Sequence, residues 1–390
     1  MINLAIAVIC LLVWAYLLTA RGGFWRCRDI FAAGDRGAAG RPSPEVVAII
    51  PARNEADVLG QSLASVLRQD YRRGLRIVIV DDQSSDGTRN IAERVAAELV
   101  LRSPYERTVE IVAGEAVPHG WTGKLWALNQ GLATVREPPE YVLFLDADIA
   151  LAPQVLQGLV NSARESGAVL TSLMVTLRCR SRAERWLVPA FVFFFQMLYP
   201  FSWVNDPRRS AAAAAGGCML VHRKALAESG GLEALRGAII DDCTLGAQMK
   251  RRGPVWLGLT HDAVSLRAYD FAGFSRMVAR SAFAELRYST PRLFGALAGM
   301  GLVFLAPPLL VLFADGWARA AGAAAWLMMT LAFAPTLRFY RRPVSSGVAL
   351  PAIAAAYVLF TLQSAAQYWR GKGGVWKDRI QAPLPKVERA

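Results

Sequence analysis

Two aspartates, Asp146 and Asp148, stand one residue apart in "YVLFLDADIA", directly after the apolar run Tyr141–Leu145. In an extended chain that spacing puts both carboxylates on one side. Such a pair is a hard-oxygen site suited to Mg2+ or Mn2+, ions that take one or two protein carboxylates and complete their shell with substrate phosphates. Acids and amides follow two further apolar runs. "PARNEAD", with Pro51, Ala52 and Glu55, follows Val46–Ile50, and "DDQSSDGT", with Asp82, follows Arg76–Val80. A second acidic pair, Asp241–Asp242, opens a candidate helix. The chemistry that Asp146 and Asp148 could do is to hold a divalent cation against a diphosphate. Structural readings stand beside the chemical ones. Ser85 and Asp86 before Gly87 suit a helix cap, and Asp241–Asp242 suit an N-cap followed by a favourable first-turn acid.

The acids need a frame that brings them to one edge. Short apolar runs at Val46–Ile50, Arg76–Val80, Val109–Val112, Tyr141–Leu145 and Ala168–Leu173 alternate with helical stretches at Ala56–Arg68, Thr88–Leu99, Leu125–Thr134 and Pro153–Glu165. This alternation predicts an α/β domain with a largely parallel sheet and helices on its faces. In such sheets ligands bind beyond the carboxyl ends of the strands, which is where the acids fall.

The rest of the composition points to a membrane. The 390-residue chain carries a formal net charge of +13, 54% hydrophobic residues and a mean hydropathy of +0.28. That is too apolar for an ordinary soluble enzyme. Five scattered cysteines, Cys10, Cys27, Cys179, Cys218 and Cys243, argue against a disulfide framework. Ile2–Ala20 is long enough to span a bilayer and is followed by Arg21, Arg26 and Arg28. With no basic residue ahead of it and no small-residue cleavage site, it is expected to be a retained anchor over residues 1–20. The arginines place the chain beyond residue 20 on the cytoplasmic side of the inner (plasma) membrane, so the basic excess meets an anionic membrane surface and not nucleic acid. Gly34–Pro44 reads as the end of a linker over residues 21–44, ahead of a catalytic domain at 45–288. Leu293–Phe313, Trp317–Phe333 and Val344–Tyr368 are each long enough to span, within a region 289–370 of two to three membrane helices. Three full spans would put the basic tail, 371–390, outside, against the positive-inside rule, so one segment is open to a re-entrant or interfacial reading.

The motifs, in order from Val46 to Gly253, resemble the family 2 glycosyltransferases with their GT-A (nucleotide-diphospho-sugar transferase) fold. "PARNEAD" is similar to their first-strand signature, "VDDQSSDGT" to their second-strand nucleotide motif, "GKLWALNQG" to the lysine–asparagine helix, and "LDADI" to the metal motif. "GGCMLVHRKAL" resembles the segment lining the acceptor side, and "IIDDCTLG" their acidic pair. The flanking spans and "VWKDR" resemble more narrowly the membrane glycosyltransferases associated with hopanoid biosynthesis, and more distantly ceramide glucosyltransferases. The resemblance implies a membrane-bound, inverting transferase that moves one sugar from a nucleotide-diphosphate sugar to a lipid acceptor. It implies that Glu55 and Asp82 contact the nucleoside, with Pro51 and Ala52 offering backbone. Asp146 and Asp148 bind Mg2+ or Mn2+, Asp148 more directly, and Asp242, second in its pair with Asp241, is the general base. Lys124 is of a length to reach a phosphate.

The sequence departs from that pattern in "AELRYS", where relatives carry a Gln or Arg, two residues, then Arg-Trp. Here Ala284 and Tyr288 replace the flanking residues, and Arg287 is left to help neutralise a diphosphate. A processive polysaccharide synthase is therefore the weaker alternative, and a catalytically silent membrane scaffold the other. Trp186–Trp203, "WLVPAFVFFFQMLYPFSW", suits either a membrane interface or a buried core helix. His119, His222 and His261 show no metal-ligand spacing.

Overall fold

The structure is a computed structural model and describes residues 1–35, 42–375, 377 and 379–381. The expected linker and basic tail therefore lie partly outside the described residues. Among the described residues nine strands form one mixed sheet: β1 (Ile30–Phe31), β2 (Val46–Ala52), β3 (Leu75–Asp81), β4 (Arg107–Ala113), β5 (Tyr141–Leu145), β6 (Ile149–Leu151), β7 (Leu170–Thr176), β8 (Cys218–His222) and β9 (Val255–Ser265). Their spatial order is β1-β9-β7-β8-β5-β2-β3-β4, with β6 on β9. The five runs read from the sequence are β2, β3, β4, β5 and β7. β2 pairs in parallel with β3 and β5, β3 with β4, and β7 with β9. Of these strands, β8, antiparallel to β5 and β7, and β6, antiparallel to β9, break the parallel pattern. β2 is buried along its whole length, as expected of a strand covered on both faces.

The apolar side chains on the two faces of the sheet enter two large clusters. On one face lies the helix Gly123–Ala133, where a Cβ at Gly131 would stand 2.6 Å from Ile49 Cγ2 and 3.0 Å from Val80 Cγ2. The glycine thus lets this helix press onto β2 and β3 and carry Lys124 to the strand ends. The helix expected to begin at Ala56 begins at Leu59, because residues 53–58 form the turn that carries Glu55.

Trp186–Trp203 is a core element, broken in two. The helix Arg182–Leu198 opens with a capping box of Ser181 and Glu184, and Pro200 separates it from the short helix Phe201–Asn205. Phe193 packs on Phe24 and Phe333, and Phe194 on Phe304 and Tyr357. Phe193 and Phe194, in the middle of the segment, thus join the sheet domain to the C-terminal helices, while Trp186 near its start is exposed.

Among the described residues, four helical segments are long and apolar enough to cross a membrane: Ile2–Thr19, Thr290–Phe313, Gly316–Phe339 and Val344–Trp369. The first two expose most of their surface, with Leu12, Phe294, Leu312 and Phe313 all pointing outward. The last is different. Tyr357 donates to the Leu187 carbonyl at 2.8 Å, Gln363 accepts from Ser275 at 2.7 Å, and Ser364 Oγ accepts from the Phe283 amide at 3.0 Å. These polar contacts lay it along helices of the sheet domain. Gln363 and Ser364, which weaken it as a span, are the residues that dock it.

Candidate active site

Three turns at one sheet edge carry the acids. Glu55 follows β2, Asp82 follows β3, and Asp146 and Asp148 follow β5. The antiparallel β8 starts at the same edge, with Cys218 opposite Leu145, and the Gly217 carbonyl accepts from the Asp146 amide at 3.0 Å. The helix Asp241–Lys250 places Asp241 and Asp242 in its first turn. Its N-cap is Ile240, with no side-chain cap, so the pair is not the capping device that its sequence allowed.

Lys124 ties the two acidic pairs together. Its Nζ lies 2.7 Å from Asp146 Oδ1 and 3.5 Å from Asp241 Oδ2. Burial works against its ammonium, but Asp146 and then Asp241 outweigh it, so its pKa stands above the usual lysine value. Asp242 is fixed by two amides: Gly216 N–H donates to Oδ2 at 2.9 Å and Cys243 N–H to Oδ1 at 2.8 Å. Burial, and then the Asp241 charge, push its pKa up to about 6 despite Lys124. A carboxylate in that range, held rigidly beside a partly open edge, is suited to accept a proton near neutral pH.

Asp148 Oδ2 accepts from Ser265 Oγ at 2.6 Å and lies 3.6 Å from Arg267 Nε. Arg267 Nη2 also donates to both Glu55 oxygens, at 2.6 and 2.7 Å. Desolvation raises the Glu55 pKa against these cations, and Asp146 is raised by desolvation in the same way. Asp82 is 1% exposed, and Arg379 Nη1 donates to both its oxygens at 2.9 and 2.6 Å.

Asp146 and Asp148 fit a divalent cation. Both are hard-oxygen donors at one strand end, and Lys124 already meets Asp146 with a positive charge. Among the described residues no three His, Cys, Asp or Glu converge into a closed metal cage. Two carboxylates with room for phosphate oxygens suit Mg2+ or Mn2+ better than such a cage. The structure thus brings Glu55, Asp146, Asp148, Asp241, Asp242 and Lys124 to one edge, with Asp82 at the end of the adjacent strand. Pro51 and Ala52 end β2 and pair with Val80 and Asp81. Arg287 lies exposed in a left-handed turn after the helix Phe271–Glu285, and among the described residues no ion pair joins it to this cluster. The sequence reading missed Arg267 and Ser265, and it placed Gly216 in a motif without foreseeing its contact with Asp242. Gly216 lies in the "GG" before β8, and that doublet was the available signal for it.

A Cβ at Gly216 would lie 3.1 Å from Asp242 Oδ2 and 3.2 Å from Lys124 Nζ. Gly216→Ala is therefore expected to displace the carboxylate by a few tenths of an ångström and to lower turnover about tenfold, short of the ~100-fold cost of a 1 Å misplacement. The melting temperature should move little. Turnover equal to wild type would show that Gly216 does not position Asp242.

The chain is matched over residues 47–230 by the model of Glycosyl transferase family 2. Over residues 141–364, more than half its length, it is matched by that of Glycosyl transferase family group 2. An N-acetylglucosaminyltransferase of Rhizobium leguminosarum bv. viciae is 30% identical over 147 residues, 37% of this chain and 31% of that protein. A 4,4'-diaponeurosporenoate glycosyltransferase of Staphylococcus haemolyticus is 30% identical over 142 residues, 36% of this chain and 34% of that protein. The match thus spans about a third of the length of these relatives. Among solved structures, a mannosyltransferase from Pyrobaculum calidifontis in complex with GDP-Man and Mn2+ shares the fold. It has a TM-score of 0.51 and 20% identity, covering 94% of this chain and 98% of that one.

Proposed function

Because the chain belongs to glycosyl transferase family group 2, we propose that it moves a single sugar from a nucleotide-diphosphate sugar to a lipid hydroxyl, with inversion at the anomeric carbon. The observation that carries this reading is the pairing of two acidic sites across Lys124. Asp146 and Asp148 form one side and Asp242 the other. Asp242 Oδ2, oriented by the Gly216 amide, takes the proton of the acceptor hydroxyl as its oxygen attacks the anomeric carbon. Lys124 stands between the two and offsets negative charge arriving on the leaving diphosphate. Asp146 and Asp148 would hold a divalent cation, which would supply Lewis-acid stabilisation of that leaving group. One base without a nucleophile is the minimum for single displacement.

The position of Asp242 supports a lipid acceptor. The next residue, Cys243, lies against Tyr199, which donates to Glu285 at 2.5 Å. Glu285 ends the helix against which Leu350–Trp369 docks. The helix start that carries the base therefore lies near the apolar helices. The sheet domain, 45–288, faces the cytoplasm of the inner membrane in this reading, below the anchor 1–20. Arg379 meets Asp82, so the tail lies on the same side as the domain. That requires an even number of crossings after residue 289. Thr290–Phe313 and Gly316–Phe339 are the hairpin that crosses, and Leu350–Trp369 lies at the domain surface.

Purified protein incubated with a panel of nucleotide sugars and membrane lipid extract, hopanoids included, is expected to yield a new glycolipid. Its mass should exceed that of the acceptor by one sugar. A ladder of sugars would replace the reading with a processive synthase, and no transfer from any donor would remove it.

A further inference from the structure

The described part of the C-terminal tail does not trail into solvent. It lies across the strand ends that carry Glu55 and Asp82. Lys377 Nζ donates to the Asn54 carbonyl at 2.8 Å and lies 3.0 Å from Glu55 Oε1. Arg53 answers from the domain, donating through Nε to the Lys377 carbonyl at 3.4 Å and through Nη1 to the Asp82 carbonyl at 2.6 Å. Arg379 spends Nη1 on both Asp82 oxygens and Nη2 on Gln83 Oε1 at 2.9 Å. Beside these contacts is a cleft of about 460 Å3. Its lining includes Gln83, Pro118 and Trp121 from the domain and Arg379, Ile380 and Gln381 from the tail. Gly114 lets the chain after β4 lie close against the end of β3, since a Cβ there would stand 2.9 Å from the Asp81 carbonyl.

Two features decide what the tail does. The cleft exists with the tail in place, and its size falls within the range of small-ligand pockets, so the tail is a wall and not a plug. Both Asp82 oxygens are engaged by the arginine, so Asp82 meets a ligand through that cation. An arginine held in this way is pre-organised for an anionic or planar partner, because its rotamer is already fixed by the carboxylate. Lys377, beside Glu55 and so near the Arg267–Asp148 contact, lies toward the proposed metal end of the site.

We propose that Lys377 and Arg379 are donor-binding residues that complete the nucleoside-diphosphate pocket, with Asp82 acting as the positioning residue for Arg379. This rests on the transferase reading above. It changes one expectation drawn from the family resemblance: Asp82 contributes to donor binding by holding Arg379 and not by touching the nucleoside itself. The tail beyond the docked membrane-side helix is then part of the catalytic unit. The donor pocket is complete only when helix Leu350–Trp369 is seated.

The test is calorimetric titration of the full-length protein with UDP and with GDP, each with Mn2+, beside donor and acceptor KM values. Arg379→Gln is expected to weaken the preferred nucleotide by about tenfold or more, as expected for loss of a charge-assisted contact. Arg379→Lys should recover part of the loss. Donor KM should rise while acceptor KM stays unchanged, a split that a merely structural role would not give. Asp82→Asn should weaken binding too, and the double variant should lose no more than the worse single one, because the two residues act as a unit. Arg379→Gln binding as wild type, or tighter, would overturn the proposal, the latter by making the tail an occluding segment. Additive losses would overturn the role given to Asp82. If wild type binds neither nucleotide, the transferase reading itself fails, an outcome distinct from failure of the tail variants alone.

Discussion

Asp242→Asn lowers transfer by about 10²–10⁴-fold, the range for removal of a general base. It leaves the affinity for donor nucleotide near that of wild type. The asparagine keeps the shape of the side chain and an oxygen for the Gly216 amide, and loses only the basic site. An interaction made in the transition state alone appears in kcat and not in ground-state binding. Asp241→Asn has the milder effect on transfer, because Asp241 acts through Lys124 at 3.5 Å. The pH profile separates the base from a structural carboxylate. Burial and Asp241 raise the Asp242 pKa to about 6, so the group is protonated and inactive below that pH. The kcat/KM of wild type should therefore fall as pH drops through about 6, and Asp242→Asn should lack that acid limb. An unchanged rate in Asp242→Asn would place the base elsewhere.

Asp148→Asn abolishes transfer, with a loss of at least about 10³-fold, as expected when several kcal/mol of transition-state charge stabilisation disappear. Saturating chelator does the same to the wild-type protein. Unlike Asp242→Asn, this variant also loses the Mn2+-dependent part of nucleotide binding, since the cation grips the diphosphate in the ground state as well. Asp148 is 8% exposed and keeps Ser265 as a partner, so the amide is accommodated without unfolding. Transfer that survives chelation would remove the metal role from Asp146 and Asp148.

The acidic half of the site was legible in the sequence, and of the basic half only Lys124 was. Glu55, Asp82, Asp146 and Asp148 each follow a run of buried residues, and strand ends are local features. Asp242 was found through a resemblance and not through spacing. Arg267 pairs with Glu55 across 212 residues of chain and no local pattern announces it; Arg379 stands in the motif "VWKDR", but its pairing with Asp82 across 297 residues was not legible. The fold divides in the same way. β2, β3, β4 and β5 are apolar runs of the expected kind. β9 carries Gly258, Thr260, His261 and Asp262, which hide its strand character, and β1 is two residues inside what reads as a linker. Trp186–Trp203 shows the limit of composition. Aromatic residues near both ends suit an interface and a domain junction equally, and only the packing of Phe193 and Phe194 on the C-terminal helices decides between them.

The central claim is that one carboxylate base works opposite a metal-held diphosphate, so that the sugar is displaced once. The measurement that bears on it most directly is the anomeric configuration of the sugar in the glycolipid product, read by proton NMR against that of the donor. The account predicts inversion in every product molecule. Retention would require a nucleophile and a second displacement, and would contradict the roles given to Asp242 and to the Asp146–Asp148 pair.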